Sequence, residues 1–291
     1  MGSQKFIKKL RYMLRYLPDE PYIQLNYFLR FHRRANLDNP VTFNEKLNWM
    51  KLHDHNPLYT KMVDKYEMKN YVSDIIGGGY TIPTLGLWED AEEINFDVLP
   101  SQFVLKCTHD SEGVIIVKDK SKLDFDETRR KLKKLLNQNF YYIGREWPYK
   151  EVKPRIIAEQ YMEDKRFHEL RDYKFFCFNG EPKVMFIASG REANSMTCDF
   201  YDMEFNHLDI TRKYPHVDRP QKKPDTFMKM IELSKKLSQG FPHIRVDLYE
   251  VEGKIYVGEF TFYTSSGFVP FKPSKWDRIM GEWIDLPSPI L

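Results

Sequence analysis

The sequence predicts an α+β protein built of lobes with locally paired strands, with helical stretches in its N-terminal part. Three observations carry this. The strands come as locally paired hairpins, DYKFFCF with EPKVMFIAS across Asn179-Gly180, and RVDLYEV with KIYVGEFT around Gly253. Helical stretches lie between these hairpins and do not follow each strand in turn, which argues against a doubly wound parallel sheet. A chain of 291 residues, 42% hydrophobic and 15% aromatic, can bury one large core or two to three smaller ones.

The elements follow in order. In MGSQKFIKKLRYMLRYL, the residues Phe6, Leu10, Met13, Leu14 and Leu17 fall at helical spacing within a basic stretch. This reads as a terminal helix packed on its own protein, with a peripheral contact to an anionic membrane surface as the alternative. Thr42 and Glu45 form a capping box that opens a helix through Trp49 and Leu52. A further helix is expected from Leu58 to Ile76, stopped by Gly77-Gly78-Gly79, and YTIPTLGLW reads as a short strand and turn. FVLKC and VIIVKD alternate as strands around THDSEG. Asp124 or Asp126 caps ETRRKLKKLLNQ, whose basic run reads as a solvated face. RIIAEQYM is the next strand, and PDTFMKMIELSKKLSQG is a helix closed by Gly240.

Composition excludes several function classes. A net charge of +3 gives no electrostatic case for nucleic acid as a partner. Cys107, Cys177 and Cys198 are scattered and odd in number, which points to a reducing cytosol and away from a disulfide framework or a cysteine-based zinc site. No apolar run reaches the roughly 18–20 residues of a membrane span. A cytoplasmic protein is expected, with peripheral membrane contact left open.

Three stretches carry candidate chemistry. A turn centred on Gly253 pairs Asp247 with Glu259 and Arg245 with Thr261 on one face. Two carboxylates about 5 Å apart need a cation between them. Hard oxygens at that separation suit Mg²⁺; a nearby Lys or Arg, such as Arg245, serves the same purpose. Lys106 ends a strand, and a loop with Ser111 and Gly113 follows, an arrangement that closes backbone N–H groups and a lysine over phosphates; an ordinary hairpin has the same pattern. Glu159 follows an apolar strand, so an adenine could be read by the backbone there; an ordinary strand end is the alternative.

The order of these pieces resembles the ATP-grasp superfamily over roughly residues 60–270. The likeness is nearest to the TupA-like ATP-grasp branch, of the surface-polysaccharide and teichuronopeptide biosynthesis type. NPVTFNEKLNWMKLHDHNPLYTKMVDKY, REWPYK, DYKFFCFNGEPK and GEFTFYTSSGF carry that narrower match. The resemblance implies two α+β lobes clamping ATP. It divides the chain into a helical region at 1–60, a segment at 61–100 leading into the fold, a small lobe at 101–165, and a large lobe with a metal site at 166–291.

Residue by residue, the resemblance makes Lys65 and Lys106 phosphate-contacting lysines, with Ser111 to Gly113 as the loop over the phosphates. Glu159, Gln160, Tyr161 and Met162 become the segment that reads adenine, and Asp172 falls near the acidic residue for the ribose. Asp247 and Glu259 become Mg²⁺ ligands. Thr261 stands where most of the superfamily has Asn, so a second metal position is expected to be weaker. Arg245 resembles the cation that stabilises the acyl-phosphate, Arg191 and Lys174 are candidates for the γ-phosphate, and Ser265, Ser266 and Gly267 would border the second substrate. The implied activity is ATP-dependent carboxylate–amine ligation through an acyl-phosphate, with ATP and Mg²⁺. The substrates would be a small-molecule or glycan uronic-acid carboxylate and an amino acid or small amine.

Arg145, Trp147 and Tyr149 of REWPYK would either stack on a sugar or belong to an aromatic core. Three rival functions remain at this stage. One is a glycosyltransferase using Asp124-Phe125-Asp126 as a D-x-D motif; the others are a sugar or amino-acid kinase on the same fold and a non-catalytic nucleotide-binding module.

Overall fold

A computed structural model of the chain describes residues 14–110, 113–167, 169–190, 196–217 and 221–288. Most of the basic opening stretch, together with Ser111 and Arg191, lies outside the described residues. Four helices lead into the sheets: α1 (Asp19–Phe31), α2 (Phe43–His53), α3 (Leu58–Val63) and α4 (Met68–Ile76). The capping box of α2 is formed as expected: Thr42 Oγ1 accepts from the Glu45 N–H at 3.4 Å, and the Glu45 carboxylate accepts from the Thr42 N–H at 3.1 Å.

The single helix expected from Leu58 to Ile76 is two. Asp64 breaks it by leaving the helical region at ψ 118°. Its carboxylate then accepts the N–H groups of Tyr66 at 2.8 Å and Glu67 at 3.2 Å, and Arg155 donates to its other oxygen at 2.8 Å. An aspartate that offers the backbone a local acceptor competes with helical bonding. The break sets Lys65 between the two helices.

The first sheet is four-stranded and antiparallel, in the order β1 (Thr84–Trp88), β4 (Ile156–Gln160), β2 (Phe103–Cys107), β3 (Val114–Val117). Phe103, Leu105, Cys107, Ile156 and Ala158 point into a core closed by α5 (Phe125–Leu136). Alternation sends Val104, Lys106 and Glu159 to the other face.

The second sheet has six antiparallel strands in the order β10-β9-β5-β6-β7-β8. These are β5 (Asp172–Phe178), β6 (Glu181–Ser189), β7 (Thr197–Tyr201), β8 (His207–Leu208), β9 (His243–Val251) and β10 (Lys254–Thr261). Helix α6 (Phe227–Leu237) covers one face through Phe227, Met230, Leu233 and Leu237. The β5–β6 turn uses Asn179 at φ 49° and Gly180 at φ 82°, the left-handed geometry that favours these residues.

The β9–β10 turn reaches the expected pairing by a different route. Glu252 and Gly253, at φ 50° and 78°, form a two-residue turn, so Val251 pairs with Lys254 and Leu248 with Val257. Continued without interruption, this register would set Asp247 opposite Gly258 and turn Glu259 to the other face. A bulge between Val257 and Glu259 adds one residue and restores Asp247 opposite Glu259 and Arg245 opposite Thr261. Gly258 suits the bulge because a Cβ there would stand 2.5 Å from the Tyr249 ring. Just before the bulge, the Val257 N–H donates to Tyr80 O at 2.7 Å, joining β10 to the segment that enters β1.

Candidate functional site

The two sheets enclose a cavity of about 330 Å³. Val104, Lys106, Val114 and Ile116 line it from β2 and β3; Glu159 to Met162 line it from β4 and beyond. Asp172, Lys174, Tyr249, Gly258 and Glu259 line it from the second sheet, and Lys65 from the break between α3 and α4. Nine of the residues singled out from the sequence therefore share one space: Lys65, Lys106, Glu159, Gln160, Tyr161, Met162, Asp172, Lys174 and Glu259.

The alternation of β2 and β4 explains one end. Lys106 donates to Glu159 Oε2 at 2.6 Å, and Lys69 reaches Glu159 Oε1 at 2.5 Å. Burial alone would raise the Glu159 carboxyl; Lys106 and Lys69 outweigh it and hold the group below the usual carboxylate range. Lys69 was not singled out from the sequence. It lies on α4, four residues after Lys65, and no local pattern distinguishes it from a surface lysine. The Lys65 ammonium donates to the Asp110 carbonyl.

The second end is a charge cluster on three adjacent strands, β5, β9 and β10. Lys174 donates to Asp247 and lies 3.4 Å from Asp172 and 3.8 Å from Glu259. Arg245 holds Asp247 with both sides of its fork, at 2.6 and 2.7 Å, and reaches Glu259 at 3.5 Å and Thr261 Oγ1 at 2.9 Å. Asp247 is fully buried. Burial pushes its carboxyl up, but Arg245 and Lys174 outweigh that and hold it at about 2. Burial likewise opposes the Lys174 charge, and Asp172 and Asp247 raise it instead.

Asp172 thus stands beside Lys174 at the acidic end of the cavity. The two carboxylates of the β9–β10 hairpin are neutralised here by Arg245 and Lys174, the pairing that the sequence left open beside the metal. The donor set still fits Mg²⁺ in kind. Glu259 turns a partly exposed carboxylate to the cavity, with its side chain 36% accessible. Asp247, buried with both oxygens held by Arg245 and Lys174, and Thr261, whose hydroxyl accepts from Arg245, stand behind it outside the cavity lining.

Several candidates stand outside the cavity lining. Gly113 donates its N–H to Asp110 Oδ1 at 2.9 Å. Ser265, Ser266 and Gly267 form a tight turn, each with positive φ, packed on α2. Within it Ser266 Oγ donates to Glu146 Oε1 at 2.5 Å and the Gly267 carbonyl accepts from Asn48 at 3.0 Å. Arg145 and Tyr149 are buried, and Arg145 sits over the rings of Tyr22 and Tyr141 at 4.4 and 5.1 Å, so REWPYK contributes to a core. Asp124 accepts the Glu127 N–H at 2.8 Å as the cap of α5, which accounts for the D-x-D triplet.

Beside the Ser266 turn, Lys51 is buried and donates to Ser266 O, Gly144 O and Asn48 Oδ1 at 2.6, 2.7 and 3.0 Å. Burial lowers its ammonium to about 7. Above pH 7 the native state then binds fewer protons than the unfolded chain, whose lysines stay charged to about 10.4. Stability should therefore climb with pH from about 7 to 9, by up to roughly 1.4 kcal/mol per pH unit. Urea unfolding across that range should show this climb in the natural protein and a flatter line in Lys51→Met; parallel lines would refute it.

Among the described residues, no helix is long and apolar enough to cross a membrane. The family model described as TupA-like ATPgrasp matches residues 45–285. No curated protein matches. Among solved structures, the D-alanine–D-alanine ligase from Bacillus anthracis complexed with ATP is 17% identical, with 69% of this chain and 53% of that one covered and a TM-score of 0.39. The Helicobacter pylori D-alanine–D-alanine ligase is 15% identical over 94% of this chain and 70% of that one, with a TM-score of 0.44. A RimK domain ATP-grasp protein from Sphaerobacter thermophilus is 9% identical over 84% and 71%, with a TM-score of 0.43. The match therefore spans about half the length of the Bacillus ligase. The family match covers most of the chain, from the capping box of α2 to beyond the last helix, and on that ground the chain belongs to the TupA-like ATP-grasp family.

Proposed function

We propose that the cavity between the sheets binds ATP and that the protein is an ATP-dependent ligase forming an amide. The observation that carries this reading is the convergence of Lys65, Lys106 and Lys174 with the carboxylates of Asp172 and Glu259 in one cleft between two sheets. The apolar side chains of Val104, Val114 and Ile116 and the segment from Glu159 to Met162 offer a slot for adenine at one end. Lys65 and Lys106 would meet the phosphates, and Lys174 would exchange its bond to Asp247 for the γ-phosphate. Asp247 and Glu259, with Thr261 as a weaker donor, would hold Mg²⁺. When bound, that ion would neutralise charge on the triphosphate.

In the reaction, a substrate carboxylate oxygen bonds to the γ-phosphorus and ADP leaves, giving an acyl-phosphate. An amine then bonds to the acyl carbon, phosphate leaves, and the nitrogen loses a proton. Arg245, fixed by Asp247, would face the charge that develops on the acyl oxygen. We assign the carboxylate to a uronic acid and the amine to an amino acid or small amine in surface-polysaccharide synthesis, on the family's association. A peripheral contact to an anionic membrane surface through the basic stretch at 1–17 completes this reading.

Thermal unfolding with ATP, with UDP-sugars, and with and without Mg²⁺ tests the reading. A ligand at about 100 times its dissociation constant adds roughly 2.7 kcal/mol to the native state. ATP should stabilise in the presence of Mg²⁺; stabilisation by UDP-sugars but not by ATP would place the protein in another enzyme class.

A further inference from the structure

Away from the cavity, Asp199, His207 and His216 bring three ligand atoms within 4.8 Å of one another. We infer that they form a transition-metal site of the zinc type, on the face of the large sheet away from the nucleotide cavity. The face follows from register: Lys174 pairs with Phe186, whereas Asp199 pairs with Ile187 and Ile187 with Tyr173.

The distances favour a metal over direct bonding. His207 Nε2 and His216 Nδ1 stand 3.5 and 3.4 Å from Asp199 Oδ1. An N–H···O hydrogen bond is shorter, about 2.7–3.2 Å. Ligands held at about 2.0–2.2 Å around a tetrahedral ion lie roughly 3.3–3.5 Å apart. Polar atoms are also left without partners here: Asp199 Oδ2 and His216 Nδ1 are buried with no hydrogen bond, and Asp199 is 1% exposed.

The surroundings hold each donor in place. The Val217 N–H donates to Asp199 Oδ1 at 3.1 Å. Thr211 Oγ1 lies 3.2 Å from His216 Nε2 and so fixes the far side of that ring, leaving Nδ1 toward the aspartate. The His207 and His216 rings meet edge-on at 4.8 Å between centroids. Two imidazoles and one carboxylate suit Zn²⁺ and its neighbours in the transition series and not Mg²⁺, which takes oxygen. His207 is 38% accessible on its side chain, so the remaining coordination position opens to solvent.

A bound ion would join β7, β8 and the 209–217 loop. That loop in turn bonds to the C-terminal segment through reciprocal Thr211–Lys272 backbone hydrogen bonds, both 2.8 Å.

The test uses the untagged full chain, stripped with a chelator and titrated with Zn²⁺ by calorimetry, and separately with Co²⁺ followed by visible absorption. One equivalent should bind. Asp199→Ala and His216→Ala should weaken binding by about a hundredfold or more, and Thr211→Val by about tenfold. Circular dichroism checks that each variant is folded; His207→Ala, at the most exposed ligand, gives the same reading if another variant unfolds. Absence of stoichiometric binding, or binding that survives loss of His207 in the folded protein, would overturn the site and leave the three residues as an ion-pair cluster.

Discussion

Asp247→Ala is expected to lower the unfolding free energy by about 3–5 kcal/mol, the range for removing one partner from a buried ion pair. The cause is what stays behind. Arg245 and Lys174 are both buried in the sheet, and Asp247 takes both sides of the Arg245 fork as well as the Lys174 ammonium. Asp172 and Glu259 are farther away, at 3.4 to 3.8 Å, and compensate only in part. Urea unfolding at pH 7 measures the loss; a cost under 1 kcal/mol would mean that the cluster is solvated.

The pH dependence follows from the same group. The native carboxyl, at about 2, lies below its unfolded value of roughly 3.9. Its contribution is thus present above pH 4 and is lost as pH falls toward 2, so the gap between natural and variant protein should close on acidification. Asp247→Asn keeps the shape and one acceptor. It should remain folded while losing Mg²⁺-dependent turnover by about two to three orders of magnitude, the scale of a removed electrostatic contact in an active site. Full activity in that variant would remove Asp247 from the site.

Lys106→Ala should raise the dissociation constant for ATP by about 10- to 150-fold, the equivalent of one charge-assisted hydrogen bond of roughly 1.5–3 kcal/mol. The effect on folding should be small by comparison, because Glu159 keeps Lys69 at 2.5 Å. Calorimetric titration separates the two outcomes. An unchanged ATP affinity would show that Lys106 serves the Glu159 carboxylate alone.

The site was legible in the sequence wherever period-2 alternation decided it. Lys106 and Glu159 fall on the non-core face of their strands, and Asp172 with Lys174 share a face of β5. Asp247 and Glu259 were matched correctly, although the turn supplying the match was not the one expected. Eleven residues separate them, an odd number that a two-residue turn cannot pair without a bulge. Gly258 was the available signal, since glycine within a strand marks such a defect.

What stayed hidden depended on contacts distant in sequence. Lys69 acquires its role from a strand 90 residues later, and the break at Asp64 from Arg155. The Ser265–Gly267 turn is set by Asn48, Lys51 and Glu146, none of which lies near it in the chain.

The bond from Val257 to Tyr80 makes β10 a fulcrum. The strand belongs to the large sheet, yet it grips the segment entering the small one two residues before Glu259. A hinge motion of the small sheet has its lever arm shortest at that point, so displacement grows toward the far strand β3 and stays least beside the acidic cluster. In the proposed ATP complex, opening of the cleft would thus free the nucleotide's base while the carboxylates assigned to Mg²⁺ keep their alignment.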